Sequence, residues 1–240
     1  MAKDADRFDM EKARGLVSDR VLWPLVRDFL WDFAPQIHAS WLEEKFGSLE
    51  VWKFGGEESQ TSELPNLQSS PRVKRHILAA LGVEPFFHDF PKDDWSRIAL
   101  LDGATLAEIA KWLGALACAE DLRRFTDGAT VRGLKSSLRG VYPEVFGYTA
   151  YFSGLEVLKS GSLDGAKNAA AQVEENGHAL LASVAEDFPP QLQLRLRLKL
   201  PAAIQTSSLP NIQKSKQQLL RFLRKLLKLR FQEAYSICCS

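Results

Sequence analysis

Along most of the chain apolar positions recur three and four residues apart, the spacing that collects side chains on one face of an α-helix. Val21 to Phe33 follows this rule with Leu22, Leu25, Val26, Phe29, Leu30 and Phe33, and Pro24 sits in the first turn, where a missing N–H breaks no helical bond. Pro35 to Phe46 has a proline at its start and Gly47 just past its end, the usual asymmetry of helices, and gathers Ile37, Trp41 and Leu42. Pro71 to Leu81, closed by Gly82, predicts a short helix with Val73, Ile77 and Leu81 inside. The pattern resumes at Asp93, and Leu106 to Ala119 repeats Leu106, Ile109, Ala110, Leu113 and Ala117 with Glu108 and Lys111 opposite, as a core helix would. Asp127 is a predicted N-cap for the segment carrying Val131, Leu134 and Leu138, and Gly140 its stop. Pro143 opens the aromatic run Glu144 to Phe152, and Leu163 to Phe188 predicts a further long helix ended by Pro189 and Pro190.

The period then changes. QLQLRLRLKLP alternates strictly, with Leu192, Leu194, Leu196, Leu198 and Leu200 on one side and glutamines or bases on the other, so a β-strand is predicted near 192–200. Leu49 to Phe54, or a second copy of the strand itself, would have to satisfy its backbone. Pro210 to Tyr235 predicts a basic amphipathic helix, with Leu219, Leu220, Leu223, Leu226, Leu227 and Ala234 on its apolar stripe and Arg221, Arg224, Lys225 and Lys228 outside it. Gly55 to Pro71, rich in Gly, Ser, Glu and Pro, is a loop by composition and long enough to be mobile. The expected fold is therefore mainly α. A compact multi-helix body fills residues 1–190, and a C-terminal strand and basic helix, residues 191–240, pack on it.

Charge changes this picture. Residues 191–235 hold ten basic side chains against one acid, Glu233, while the chain as a whole nets only +1, so the preceding body is acidic. Such asymmetry suits a charged partner at one end, either nucleic acid, an anionic membrane or an acidic protein, or else the tail docks on its own acidic body. The longest uncharged stretch, Leu200 to Gln213, contains two prolines and is shorter than a membrane span, and the N-terminus lacks the apolar run of a secretory signal. Three cysteines make no disulfide framework, and a cytoplasmic setting is expected.

The residues that chemistry would need are scattered. His38, His76, His88 and His178 lie in separate segments without zinc-ligand spacing, and Cys118 sits among Leu116, Ala117 and Ala119 as a small core residue does. No phosphate-binding glycine motif and no nucleophile elbow occurs. No enzyme activity, cofactor or metal is expected.

Three stretches resemble the YscK (SctK) family of bacterial type III secretion accessory proteins. FAPQIHASWL, Phe33 to Leu42, is similar to the family's early proline, histidine and SWL element. Trp95 to Tyr148 resembles its central helical block, in which a leucine and glycine helix precedes paired arginines (Arg123 and Arg124), a DG turn and a VRxL helix. LRLRLKLP, Leu194 to Pro201, is similar to its basic, leucine-rich C-terminal element. The resemblance covers about two thirds of the chain and leaves out Gly55 to Pro71, Leu163 to Ala185 and the Cys238–Cys239 end.

The resemblance implies a non-enzymatic adaptor of the cytoplasmic sorting platform, peripheral to the inner membrane at the secretion apparatus. It would join the cytoplasmic domain of the inner-membrane ring protein to the pod subunit, with the ring contact around His38, Trp41 and Leu42 and the pod contact on the basic unit at Arg221, Arg224, Lys225 and Lys228. Arg123 and Arg124, with Asp127, are expected to organise a helix junction and leave part of it exposed for a partner. The alternatives are nucleic-acid or anionic-membrane binding through the basic helix, or a regulatory helical interaction domain.

Overall fold

The computed structural model describes residues 22–47, 70–84, 94–158, 163, 168–203 and 212–239. In chain order the helices are α1 (Leu22–Trp31), α2 (Ala39–Phe46), α3 (Pro71–Ala80), α4 (Gly103–Ala117), α5 (Ala119–Arg124), α6 (Gly128–Ser137), α7 (Val141–Tyr148), α8 (Ala169–Val184), α9 (Pro190–Leu198), α10 (Ile212–Arg230) and α11 (Gln232–Cys239), with several 3-10 turns between them. The chain is thus mainly helical, and no strand occurs among the described residues. It divides into two compact units, one of residues 1–103 and 188–202 and the other of residues 104–187 and 203–240, so the segment 191–240 is shared between them.

In the first unit α1 buries Leu22, Val26 and Phe29, and Phe33 follows into the same core. Pro35 to Phe46 is not one helix. Pro35 belongs to a 3-10 turn, Ala34–Gln36, after which Ile37 and His38 are extended (ψ 129° and 136°) and α2 starts afresh at Ala39. The break has a local cause, because His38 takes the extended conformation of an N-cap and its Nδ1 accepts a hydrogen bond from the Ser40 N–H at 3.2 Å. Gly47 and Gly82 end α2 and α3 with positive φ, where a side chain would be strained. Leu49 to Phe54 and residues 55–69 lie outside the described residues.

The strand expected near 192–200 is the helix α9. Alternation favoured a strand because no helix can put five leucines on one face, but α9 needs no single apolar face. Leu192, Leu196, Leu198 and Leu200 are buried, and so are Arg195 and Lys199, which the alternating pattern had assigned to a solvent side. A helix enclosed on most of its circumference is indifferent to which face its leucines occupy. Pro190, read in the sequence as the stop of the preceding helix, also occupies the first turn of α9.

In the second unit α4 and α8 pass with backbones nearly in contact at Gly114 and Gly177. A Cβ built on Gly114 would stand 1.9 Å from the Val173 carbonyl oxygen, and one on Gly177 would stand 1.8 Å from that of Ala110. Asp127 caps α6, accepting from the N–H groups of Ala129 (3.0 Å) and Thr130 (2.9 Å), and these bonds, led by those of Thr130, hold its carboxylate below the ordinary range. Gly140, at φ 47°, turns the chain into α7, which begins at Val141, before Pro143, and gives way to a 3-10 turn, Thr149–Phe152. The long helix expected over Leu163 to Phe188 is described as α8 with a 3-10 turn, Ala185–Asp187, at its end. α10 lays Leu219, Leu223, Leu226 and Leu227 against α8 and the turn Leu155–Leu158, and the chain breaks at Phe231 before α11 packs back on it.

Candidate partner-binding surfaces

In the first unit the segment from His38 to Trp41 closes the C-terminal end of α9. The last carbonyls of a helix have no acceptor role within it. Here the His38 N–H donates to Leu198 O at 2.7 Å, and the Trp41 indole Nε1–H donates to Leu200 O at 2.8 Å and Arg197 O at 3.2 Å. The Ala202 N–H reciprocates by donating to Ser40 Oγ at 2.8 Å. Two of the stretches singled out in the sequence, HASWL and LRLRLKLP, are therefore one structural device. Leu42 is buried, Trp41 is half-buried and engaged by its indole, and the His38 side chain remains exposed.

Behind this cap lies a pair that sequence reasoning missed. Arg195 is 1% exposed, donates to the carbonyls of Phe29 and Glu84, and stacks over the rings of Phe29 and Phe33 at 5.2 and 5.1 Å. Lys199, one turn on and 2% exposed, donates to Ala99 O at 2.7 Å and Leu101 O at 2.8 Å, with Phe29 5.1 Å beneath it. Burial pushes Lys199 down to about 7, Asp102 opposing and Arg195 adding to the shift, and pushes Arg195 down to about 10 against the pull of Glu84. The i,i+4 spacing of Arg195 and Lys199, shared by Leu192 and Leu196, was the available signal for a helix with a buried cationic edge.

Arg123 and Arg124 end α5 in the second unit. Arg123 donates to Thr149 Oγ1 at 2.8 Å and lies over the Phe146 ring, so it ties α5 to the end of α7. Arg124 reaches Asp121 at 3.5 Å and is otherwise exposed. Asp127 is committed to the α6 N-terminus.

The bases of α10 fall into two groups. Lys216 pairs with Asp187, Lys225 donates to Tyr151 O at 3.0 Å and lies over the Tyr151 ring, and Arg230 meets Glu144 at 2.7 Å while stacking 4.7 Å from Trp112. These three hold α10 to its own unit. Arg221, Arg224 and Lys228 are exposed and carry no such bond.

Among the described residues no three His, Cys, Asp or Glu side chains are grouped to hold a metal ion, and no helix is long and apolar enough to cross a membrane. Residues 29–142, a little under half the chain, match the family model for YOP proteins translocation protein K, YscK. Over that span the chain is similar to the YscK family. The match runs from the end of α1 to the start of α7, and so includes His38, Trp41, Leu42, Arg123 and Arg124, whereas α9 and the basic α10 lie beyond it. No curated protein and no solved structure matches the chain.

Proposed function

We propose that this protein is a type III secretion protein of the YscK kind, a non-enzymatic adaptor of the sorting platform that joins the cytoplasmic domain of the inner-membrane ring protein to the pod subunit on the cytoplasmic side of the membrane. The observation that carries the reading is the family match over residues 29–142. The distribution of surface chemistry supports a two-sided role. The first unit exposes an aromatic, Trp31, packed edge-on against Trp23 at 5.7 Å, and the second exposes unpaired cations on α10. Aromatic anchors supply interface hot spots, whereas surface charge governs encounter and choice of partner. On this reading the first unit, near His38 and Trp31, meets the ring protein, and α10 meets the pod subunit.

Pull-down of the purified chain with each candidate partner separately tests the reading. Capture of both, with Trp31→Ala weakening only the ring contact, is the expected result, and failure to capture either partner overturns it. The membrane alternative fits less well, because an interfacial helix needs its apolar face free and Leu219, Leu223, Leu226 and Leu227 are buried within the protein.

A further inference from the structure

Arg221, Arg224 and Lys228 are spaced i, i+3 and i+7, so they stand in one row along α10, roughly 10 Å long at 1.5 Å rise per residue. All three are exposed, and among the described residues none makes a hydrogen bond or ion pair, in contrast to Lys216, Lys225 and Arg230 on the same helix. Large exposed hydrophobics flank the row. Leu229, 45% exposed, follows Lys228, and Tyr151, 57% exposed, lies beneath Lys225 one position from Arg224. Among the described residues only Trp31 and Val157 are comparably exposed, and Val157 sits in the turn on which α10 packs.

We infer that the Arg221–Arg224–Lys228 row, with Leu229 and Tyr151 at its sides, docks an acidic protein segment that carries an apolar or aromatic side chain among its carboxylates. Charge complementarity fixes the sign of the partner, and the apolar flanks fix its class. Arginine beside exposed aromatic and aliphatic surface is the composition of protein interfaces. Nucleic acid would want free aromatic faces for stacking, but Phe222 is occupied by Phe152 at 5.9 Å, and three cations neutralise too few phosphates for more than weak binding. The assignment deepens the pod-facing role proposed above and rests on it for the partner's identity, but not for its chemistry.

The molecule supplies its own control. Arg132, Lys135 and Arg139 have the same i, i+3, i+7 spacing and the same exposure, without an exposed large hydrophobic among their neighbours in sequence. A labelled random copolymer of glutamate and tyrosine serves as the probe, read by fluorescence anisotropy on the full chain. The wild type is expected to bind it in a salt-sensitive manner, and the triple change Arg221→Gln, Arg224→Gln, Lys228→Gln to weaken binding roughly tenfold or more, while the same changes at Arg132, Lys135 and Arg139 leave it within about twofold. Leu229→Ser should weaken the copolymer but not poly-L-glutamate. Equal losses from the two triples overturn the inference, as does tighter binding of duplex DNA or phosphatidylserine vesicles through the α10 row. Circular dichroism of each variant keeps loss of fold apart from loss of binding. If the copolymer binds through the row but the pod subunit does not bind the wild type, the acidic-segment assignment stands and the adaptor reading fails. If the pod subunit binds the α10 triple as well as the wild type, the row is not its dock.

Discussion

Arg195 and Lys199 belong to the same basic stretch of sequence as Arg221, Arg224 and Lys228, yet the two groups use their charge in opposite ways. The first two are sealed in the core of one unit, where backbone carbonyls and aromatic faces replace water, and the other three face solvent with no ion pair among the described residues. A buried cation is tolerated only where acceptors are already in place, and then it organises whatever carries those acceptors. Arg195 and Lys199 between them gather carbonyls from Phe29, Glu84, Ala99 and Leu101, four separate points of the first unit. The α10 row ties no other described residue in place, in keeping with the docking role inferred for it.

The sharpest way to break this contrast is to remove a buried member. Arg195→Ala removes the guanidinium donor to the Phe29 and Glu84 carbonyls and opens a cavity beside Phe29 and Phe33, and it should cost about 3–5 kcal/mol. Urea unfolding combined with hydrogen exchange of the α1 and α9 amides would register that loss in the first unit. Next in size is a pH effect. Lys199 keeps its proton in the unfolded chain up to its ordinary range near 10.5 but gives it up near 7 when folded, so the unfolded state binds more protons between those limits. Stability should therefore rise with pH across that window, with a limiting slope of about 1.4 kcal/mol per pH unit, and Lys199→Met should flatten the rise. A wild-type profile that falls from pH 7 to pH 9 would contradict the assignment.

Trp41→Phe probes the cap beside the pair. It keeps the ring but removes the donor to Leu200 O and Arg197 O, for an expected loss of about 1–2 kcal/mol, again readable in α9 exchange. The smallest effect belongs to the exposed row. Each of Arg221→Gln, Arg224→Gln and Lys228→Gln should shift stability by no more than about 0.5 kcal/mol in thermal unfolding. A large loss from any one of them would mean that the row, like Arg195, has a structural task.

The sequence was most legible where one helix face meets one core. The apolar repeat of α4, the Asp127 cap and the Gly140 stop lie where periodicity and capping rules put them, because each depends only on neighbours within a turn or two. α9 was misread because alternation measures one-sided burial, and this helix is surrounded. The partners of Arg195 and Lys199 lie about 100 or more residues away in sequence, and no local pattern reports on carbonyls at Phe29 or Ala99. The same distance hid the joint role of the HASWL and LRLRLKLP stretches, each visible alone and neither interpretable without the other. At α10 the sequence supplied the basic face but could not sort its members. That Lys225 and Arg230 find internal acceptors depends on where Tyr151 and Glu144 arrive in space.

The interleaved order of the two units has a consequence for biosynthesis. The first unit draws on residues 188–202, so its cationic anchors leave the ribosome only after the intervening stretch 104–187 has been made. At roughly 5–20 residues per second the N-terminal helices wait several seconds for α9, with Phe29 and Phe33 uncovered meanwhile. A nascent chain stalled before residue 190 holds α1, α2 and α3 without the segment that ties them together, and such an intermediate is a natural client for a chaperone.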